Sequence, residues 1–274
     1  MNKYAKRYFI DAMSGMAQGL FASLLVGTIV RTLGLQLLKI SDIPPFQFLV
    51  TAGNFAMNAN VVGAAMAVGI GFSMHVDPLV LFSLATIGAA ANVTGGAGGP
   101  LAVLFIAIIA AELGNLVSKK TKIDILVTPL VTILSGILLT VLFAKYLGIA
   151  ASSIGNIVMW ATTLRPFIMG IIVSAVIGIA LTLPISSAAI CSAFGLVGLA
   201  GGAAVAGCCA QMVGFAVMSF KENKTSGLLS QGLGTSMLQM PNIIKNPLIW
   251  IPPTLASMIT GPIATCIFKM EMNG

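Results

Sequence analysis

The chain has 274 residues, of which 58% are hydrophobic and only 8% are charged. So few charges cannot cover a soluble surface of this size, and the composition therefore excludes an ordinary soluble enzyme or binding domain. The formal net charge of +7 does not indicate a nucleic-acid partner, because the basic residues form short clusters between apolar runs, as in the loops of membrane proteins.

The uncharged runs between these clusters are long enough to cross the hydrocarbon core of a bilayer once their flanks are counted. They lack the strict alternation of a transmembrane barrel, so the spanning elements are expected to be helices. We predict an all-α integral membrane protein, a polytopic bundle with about eight to ten membrane-embedded segments, some of them broken or re-entrant.

Polar residues interrupt the first apolar runs at two places. The stretch NFAMNAN, residues 54–60, carries Asn54 and Asn58, which would share one face of a helix. In ANVTGGAGGP, residues 91–100, Asn92 precedes four glycines and a proline that do not favour a continuous helix. This second stretch is either a loop outside the membrane or a broken helix that lines a cavity. All three asparagines are candidate contacts for a solute.

Carboxylates are rare within the apolar runs, so each one is a candidate for function. Asp11 and Glu112 are the two expected within or at the edge of a membrane span. One interpretation is anchoring at the interface, and the other is ion coupling or direct contact with a solute. We include Glu112 among the candidate substrate-binding residues.

Two glycine-containing stretches suggest that the chain consists of two similar halves. GLFASLLVG at 19–27 and GIIVSAVIG at 170–178 share Gly, Ser and Gly at four-residue intervals, which places all three on one helical face where another backbone can approach closely. Chance similarity between low-complexity membrane sequences is the alternative. The expected organisation is a first membrane half at 1–148, an interfacial connector at 149–164 and a second membrane half at 165–274.

A proline is predicted to break the second half near its middle. In TLPISSAA, residues 182–189, Pro184 ends a helix beside the hydroxyl groups of Thr182, Ser186 and Ser187. These three hydroxyl groups are candidate solute contacts. They could equally cap the broken helix or form hydrogen bonds between helices.

The uncharged segment 186–219 is predicted to be one long helix or two short helices hinged at the glycine pair 201–202. We favour two membrane crossings, which place the loop at 221–225 on the same side as the lysines at 118–123. The surrounding VGLAGGAAVAG, residues 197–207, is expected to support close helix packing through its glycines.

The stretch QGLGTSMLQMPN, residues 231–242, is unusually polar for this chain. As a helix it would place four polar residues within roughly 80° of each other, with Leu233, Met237 and Met240 on the opposite side and Pro241 at its end. A surface helix would carry lysine or arginine on its wet face, and this one carries none. We therefore predict a re-entrant segment near 227–242 that lines a cavity with Gln231, Thr235, Ser236, Gln239 and Asn242.

Neutral amides and hydroxyl groups suit an uncharged polyol, because they supply donors and acceptors without the cost of burying a charge. A sugar is the natural candidate. With one histidine and four cysteines that form neither an H-E-x-x-H nor a C-x-x-C motif, the sequence indicates no metal site, cofactor or catalytic motif.

Three long phrases in the second half resemble a known family. RPFIMGIIVSAVIGIALTLPISSAAI, AGCCAQMVGFAVMSFKEN and GLLSQGLGTSMLQMPNIIKNPLIWIPPTLAS closely resemble the membrane permease family classed with enzyme IIC of the bacterial phosphotransferase system, in a branch that includes proteins similar to the perfringolysin regulator. The resemblance covers roughly residues 10–270. It implies a multi-pass carrier in the bacterial plasma membrane, a homodimer that moves a sugar while separate phosphotransferase proteins or domains phosphorylate it.

The sequence departs from the family pattern in several respects. It carries no appended domain with the phosphorylated cysteine of an enzyme IIB or the histidine of an enzyme IIA, and no glutamate motif of the glucose-type carriers. Members of this branch commonly continue with glycine-rich sequence beyond KMEMNG, so a truncated chain is expected. Two alternatives stay open: a membrane sensor that binds a solute without transporting it, and an ion-coupled carrier of a small organic acid.

Overall fold

The computed structural model describes residues 3–41 and 43–272, apart from the side chains of Lys3 and Ala5. The ends of the two predicted halves, at 1–2 and 273–274, lie outside the described residues, as does Asp42. In the described part of the chain the regular structure is helical, apart from one isolated β-bridge between Gly198 and Met272. The predicted all-α class is therefore confirmed.

The chain divides into two compact units. Unit 1 comprises Met1–Gly95 and Gly99–Lys145, and unit 2 comprises Gly96–Gly98 and Tyr146–Gly274. The helices of unit 1 are α1 (Arg7–Leu38, with two π-helical turns), α2 (Pro44–Ala56), α3 (Ala59–Ser73), α4 (Pro78–Gly95), α5 (Gly99–Val117) and α6 (Asp124–Leu139), and a π-helical turn follows at Thr140–Ala144.

The helices of unit 2 begin where this π-helical turn ends. They are α7 (Lys145–Thr162), α8 (Pro166–Thr182), α9 (Ser187–Ala193), α10 (Gly198–Met218), α11 (Phe220–Leu229), α12 (Met240–Lys245) and α13 (Ile251–Pro262). The predicted connector at 149–164 lies mostly within α7, and its place at the membrane interface stays a prediction.

Five helical runs of the described residues are long and apolar enough to cross a membrane: Arg7–Leu38, Pro78–Val117, Asp124–Thr162, Gly198–Met218 and Pro247–Ile267. Helices α2 and α3 form a further candidate as a pair bent by 58°, and α8 is a shorter apolar helix. When the run at Pro78–Val117 and the bent pair are each counted as two helices, the apolar segments agree with the predicted eight to ten.

The glycines at 95–99 form the tip of a helical hairpin. Helix α4 ends at Gly95, and Gly96, with φ of +53°, begins a 3-10 turn that leads into α5. A Cβ atom on Gly114 would lie 2.9 Å from the Val80 side chain, so the far ends of α4 and α5 also meet. The stretch is thus a turn between two antiparallel helices, and its position outside the membrane or beside a cavity stays a prediction.

Both predicted Gly-Ser-Gly faces are sites of close backbone contact, as expected. In unit 1, a Cβ atom on Gly19 would lie 2.2 Å from the Ala65 carbonyl oxygen of α3. In unit 2, the Ser174 hydroxyl of α8 donates to the Ser257 carbonyl of α13 at 2.7 Å. A Cβ atom on Gly207 of α10 would lie 2.0 Å from the Ser174 carbonyl oxygen. Small residues therefore let these backbones touch.

Helices α8 and α10 run parallel to each other, because both are antiparallel to α13. Along α8, Gly170 lies beside Pro262 and Ser174 beside Ser257. Along α10, Gly202 lies beside Met270, and the Gln211 amide donates to the Thr254 hydroxyl at 3.1 Å. The segment 183–197 must therefore return from the end of α8 to the start of α10.

The predicted hinge at 201–202 is wrong, since α10 is continuous through both glycines. The break lies earlier, where α9 ends at Ala193 and the backbone reverses at Gly195, with φ of +58°. Glycine-rich VGLAGGAAVAG instead serves helix packing, as expected. The return from α8 to α10 instead contains the short helix α9. The two membrane crossings expected of segment 186–219 stay a prediction.

Candidate functional site

The polar stretch QGLGTSMLQMPN is not one continuous helix, so the predicted helical stripe is wrong in its backbone. A π-helical turn at Ser230–Gly234 ends at Thr235, whose φ of −155° and ψ of 143° are extended. The Thr235 hydroxyl accepts the Met237 N–H at 3.2 Å and so caps the 3-10 turn at Ser236–Gln239. Threonine favours this local cap over the interior of a helix.

Pro241 begins a helix instead of ending one. It lies in the first turn of α12, whose bounds are Met240–Lys245. Proline is favoured at this position because its missing N–H would have no partner in the helix. The prediction for Pro241 was wrong because the sequence pattern did not reveal the break at Thr235.

Three amides of this stretch nevertheless meet in one chain of hydrogen bonds. Gln231 Nε2 donates to Ser219 Oγ at 3.0 Å, and Gln239 Nε2 donates to Gln231 Oε1 at 2.9 Å. Asn242 Nδ2 donates to Gln239 Oε1 at 2.9 Å. We call Gln231, Gln239 and Asn242 the amide relay. Gln231 and Gln239 are buried, whereas Asn242 is exposed, so the relay has a buried end and an open end.

Two open cavities of unit 2 lie against the amide relay, and both are lined by Asn223, Gln239 and Asn242. Cavity A has a volume of about 270 Å³, and its other lining residues are Phe215, Met218, Ser219, Glu222 and Ile249. Cavity B has a volume of about 290 Å³, and its other lining residues are Ser226, Gly227, Ser230, Gln231 and Leu238. Three of the five residues predicted for this stretch thus line the cavities.

The sequence analysis missed one wall of these cavities. It consists of Ser219, Glu222, Asn223, Ser226 and Ser230, which belong to the end of α10, to α11 and to the start of the following turn. The four-residue steps from 219 to 223 and from 226 to 230 are a helical pattern that could have revealed a polar face. The lysines of this stretch instead indicated a loop between membrane segments.

Two other predicted hydroxyl groups meet away from the cavities. Thr182 Oγ1 and Ser236 Oγ lie 2.8 Å apart, and both side chains are 0% exposed. Their hydrogen bond joins the end of α8 to the 3-10 turn. For Thr182 this agrees with the alternative of hydrogen bonds between helices. Ser186 caps α9 by accepting the Ala189 N–H at 3.2 Å.

Ser187 lies on a different, apolar cavity of about 570 Å³ between α8, α9 and α10. Cys191, Cys208 and Cys209 lie on the same wall. In the described part of the chain, no group of three or more His, Cys, Asp or Glu side chains could hold a metal ion.

Asn54 and Asn58 do not share a helical face. Helix α2 ends at Ala56, and Asn58 lies at the bend before α3. The Asn58 Oδ1 accepts the Asn60 N–H at 2.9 Å, which caps α3. The prediction of a shared face was wrong because asparagine is a strong helix cap and can begin a new helix.

Asn92 and Glu112 also have partners within unit 1. Asn92 Nδ2 donates to the Ala59 carbonyl at 2.8 Å and so ties α4 to the first turn of α3. Glu112 Oε1 lies 3.0 Å from Arg7 Nη2, and each of these two side chains is 35% exposed. The ion pair joins α5 to the start of α1.

The fold is that of a polytopic helical membrane protein, and the polar cavities A and B of unit 2 have volumes of about 270 and 290 Å³. The sequence model of the family described as "Phosphotransferase system, EIIC" matches residues 10–274. The chain therefore belongs to this family of membrane components for sugar transport, as its resemblance predicts. Comparisons with curated proteins and with solved structures gave no match.

Proposed function

We propose that the chain is a sugar permease of the enzyme IIC type that binds a neutral carbohydrate at the amide relay. The observation that carries this proposal is the open end of the relay, where Asn242 faces both cavities beside Asn223. Membership of the family supplies the transport role, and the relay supplies the chemistry for the solute.

The hydrogen bonds of the relay leave groups free for a ligand. Each primary amide has two N–H donors and a carbonyl acceptor. The Gln231 and Gln239 oxygens accept within the relay, whereas Asn242 uses one N–H there. The second N–H and the oxygen of Asn242 can therefore serve a sugar hydroxyl, which both donates and accepts. The buried part of the relay holds these groups in place.

The ionisable residue on the cavity walls is Glu222. A carboxylate accepts hydrogen bonds from sugar hydroxyl groups but repels an organic anion. This favours a neutral polyol over a small organic acid as the solute. The sensor alternative shares the same binding chemistry and differs only in the absence of transport.

Asn242→Ala tests the binding site. We expect a loss of affinity for the transported sugar of roughly 5- to 150-fold, which corresponds to about 1 to 3 kcal/mol for unpaired polar groups. Asn60→Ala is a matched control, because Asn60 is an exposed amide of unit 1. Isothermal titration of the detergent-solubilised protein with a panel of sugars measures the affinity. Unchanged sugar affinity in Asn242→Ala would place the solute elsewhere.

Uptake into proteoliposomes tests the transport role. A panel of labelled sugars and organic acids is offered with and without phosphoenolpyruvate and soluble phosphotransferase proteins. We expect accumulation of a sugar that depends on these components. Sugar binding without any uptake would support the sensor, and uptake of an acid in response to an ion gradient would support the ion-coupled carrier.

We further propose a homodimer in the bacterial plasma membrane, with the membrane halves at 1–148 and 165–274. The resemblance to enzyme IIC carriers supports the dimer and the location, and the two Gly-Ser-Gly faces support the pair of halves. Light scattering of the purified protein, corrected for bound detergent, measures the oligomeric state. A monomeric mass for transport-competent protein would contradict the dimer.

A further inference from the structure

We infer that cavities A and B are two subsites for one ligand, a carbohydrate of two linked rings, and that Asn223 contacts both rings. This inference rests on the proposed function and specifies its substrate class. It starts from the arrangement of the two cavities, which have Asn223, Gln239 and Asn242 in common. We call these three polar residues, which line both cavities, the polar divider.

The volumes favour joint use of the cavities. Small-molecule sites typically have volumes of roughly 300 to 1,000 Å³. Cavity A at about 270 Å³ and cavity B at about 290 Å³ each fall just below this range. Only the two together lie well within it, so a ligand that extends across the divider fits the site better than one confined to a single cavity.

The two cavities differ in chemistry, which suits two differently oriented rings. Cavity A combines the apolar residues Phe215, Met218 and Ile249 with the carboxylate of Glu222. A pyranose ring has an apolar face of C–H groups and a rim of hydroxyl groups, and it matches such a mixed lining. Cavity B is mostly polar, with Ser226 and Ser230 on its wall, and suits a ring bound through its hydroxyl groups.

The local backbone holds Asn223 at the divider. Helix α11 is kinked at Lys224, whose φ of 51° and ψ of −147° are unusual for a residue with a side chain. A Cβ atom on Gly227 would lie 2.2 Å from the Asn223 Cβ. The missing side chain at Gly227 therefore leaves the space that Asn223 occupies at the divider.

The test compares single rings with linked rings on the full chain in detergent. Titration calorimetry measures the affinities of hexoses and N-acetylhexosamines and of the disaccharides built from them. We expect the best disaccharide to bind about 10-fold more tightly than either of its component monosaccharides. Equal affinity for a monosaccharide and the best disaccharide would overturn the two-subsite inference.

Variants assign the subsites. Ser226→Ala/Ser230→Ala removes two hydroxyl groups from the wall of cavity B, and we expect the advantage of the disaccharide over its component monosaccharides to disappear. Gly227→Ala should also remove the advantage, because the new Cβ displaces Asn223. Gly232→Ala is its control, since a Cβ atom there would meet only the Ala216 side chain, at 3.7 Å.

The outcomes separate this inference from the proposed function. Monosaccharide binding that Asn242→Ala weakens, without a disaccharide advantage, would contradict the two subsites and leave the sugar site intact. Equal losses for both ligand classes in the double serine variant would also contradict them. Failure of every saccharide to bind the folded chain would overturn both proposals.

Discussion

Gln239 and Asn242 are neighbours in the amide relay, but they differ in burial and should therefore differ in what their removal costs. Gln239 is 6% exposed and bonds to amides on both sides, whereas Asn242 is exposed at the cavity. Removing a buried partner leaves other polar groups unpaired. We therefore expect the Gln239 amide to stabilise the fold and the Asn242 amide to contact the ligand.

Gln239→Ala is therefore expected to lower both thermal stability and sugar affinity. The Gln231 oxygen and the Asn242 amide lose their partner, at a cost of about 1 to 3 kcal/mol in the free energy of unfolding. Differential scanning fluorimetry with and without sugar measures both effects. Leu233→Ala is the control, because Leu233 is 66% exposed in the same segment. An unchanged melting temperature in Gln239→Ala would mean that the relay does not stabilise the fold.

The Arg7–Glu112 pair makes a prediction about the carboxylate in unit 1. Glu112→Arg and Arg7→Glu each bring like charges together across a contact of 3.0 Å. Because the side chains are partly exposed, we expect each single variant to be destabilised by only about 1 kcal/mol. The double exchange should restore thermal stability and uptake. Restored stability without restored uptake would indicate that Glu112 acts on the solute or on a coupled ion.

Asp77 and Lys119 form an ion pair just outside α4 and α5. Hydrogen bonds from Lys119 and Ser118 lower the pKa of Asp77 from its usual 3.8. A carboxyl group whose pKa is lower in the folded than in the unfolded protein stabilises the fold at pH values above its unfolded-state pKa. This stabilisation is lost as the pH falls below 3.8 and through the pKa of the folded state. The pair is near the surface, so the benefit is at most about 1 kcal/mol.

We expect Asp77→Asn to melt below the parent protein at pH 7, and the gap to narrow as the pH falls from 7 through the usual pKa of Asp. Scanning calorimetry of both proteins across this range measures the difference. A gap between the two melting temperatures that persists at low pH would exclude titration of Asp77 as its cause.

At the scale of helices, contact between backbones holds the centre of unit 2 together. Gly207 of α10 lies against Ser174 of α8, and the Ser257 hydroxyl of α13 donates to the Gly207 carbonyl at 3.1 Å. Three helices thus meet at one glycine. In a membrane, where hydrophobic burial gives little drive between helices, this close packing is a main source of stability.

Gly207→Ala should therefore destabilise unit 2 strongly. Its Cβ would lie 2.0 Å from the Ser174 carbonyl oxygen, and overpacking of this kind costs about 1 to 3 kcal/mol. The expected results are a lower melting temperature and less folded protein on size-exclusion chromatography. Gly232→Ala, with its nearest contact at 3.7 Å, should behave like the parent. Equal behaviour of the two variants would contradict the close-packing argument.

The parallel course of α8 and α10 predicts how unit 2 crosses the membrane. Helix α8 has 17 residues and α10 has 21, or about 25 and 31 Å of helix. The return segment between them contains α9, whose seven residues span about 10 Å. The start of α8 and the end of α10 should thus lie on opposite sides of the bilayer.

Cysteine labelling of a cysteine-free background tests this topology. We expect Thr163→Cys and Lys221→Cys to react with an impermeant maleimide from opposite sides. The positive-inside rule places the end with Lys221, Lys224 and Lys245 in the cytoplasm. Cavities A and B lie at that end and should open to the cytoplasm. Labelling of both positions from the same side would contradict the two membrane crossings predicted for segment 186–219.

The sequence alone determined the class of the protein and much of its local chemistry. Apolar runs of span length without strict alternation indicate helices in lipid, because every backbone group in the membrane interior needs a hydrogen-bond partner and a helix supplies it within its own segment. The Gly-Ser-Gly spacing predicted close helix contacts. Gln231, Gln239 and Asn242 were predicted to line a cavity because polar residues are rare in such a chain. These inferences depend on short-range patterns that are fully present in the sequence.

Which polar groups form hydrogen bonds with each other depends on the packing of the helices. The break at Thr235 and the helix start at Pro241 arise because several local backbone states have similar energies, and packing selects among them. Glu222 and Asn223 line the cavities beside the relay because the packing of unit 2 brings the start of α11 next to the polar segment. Thr182 and Ser236 form a hydrogen bond although they are 54 residues apart in the sequence. The sequence pattern contains no signal for such long-range pairing, since it depends on how whole helices pack.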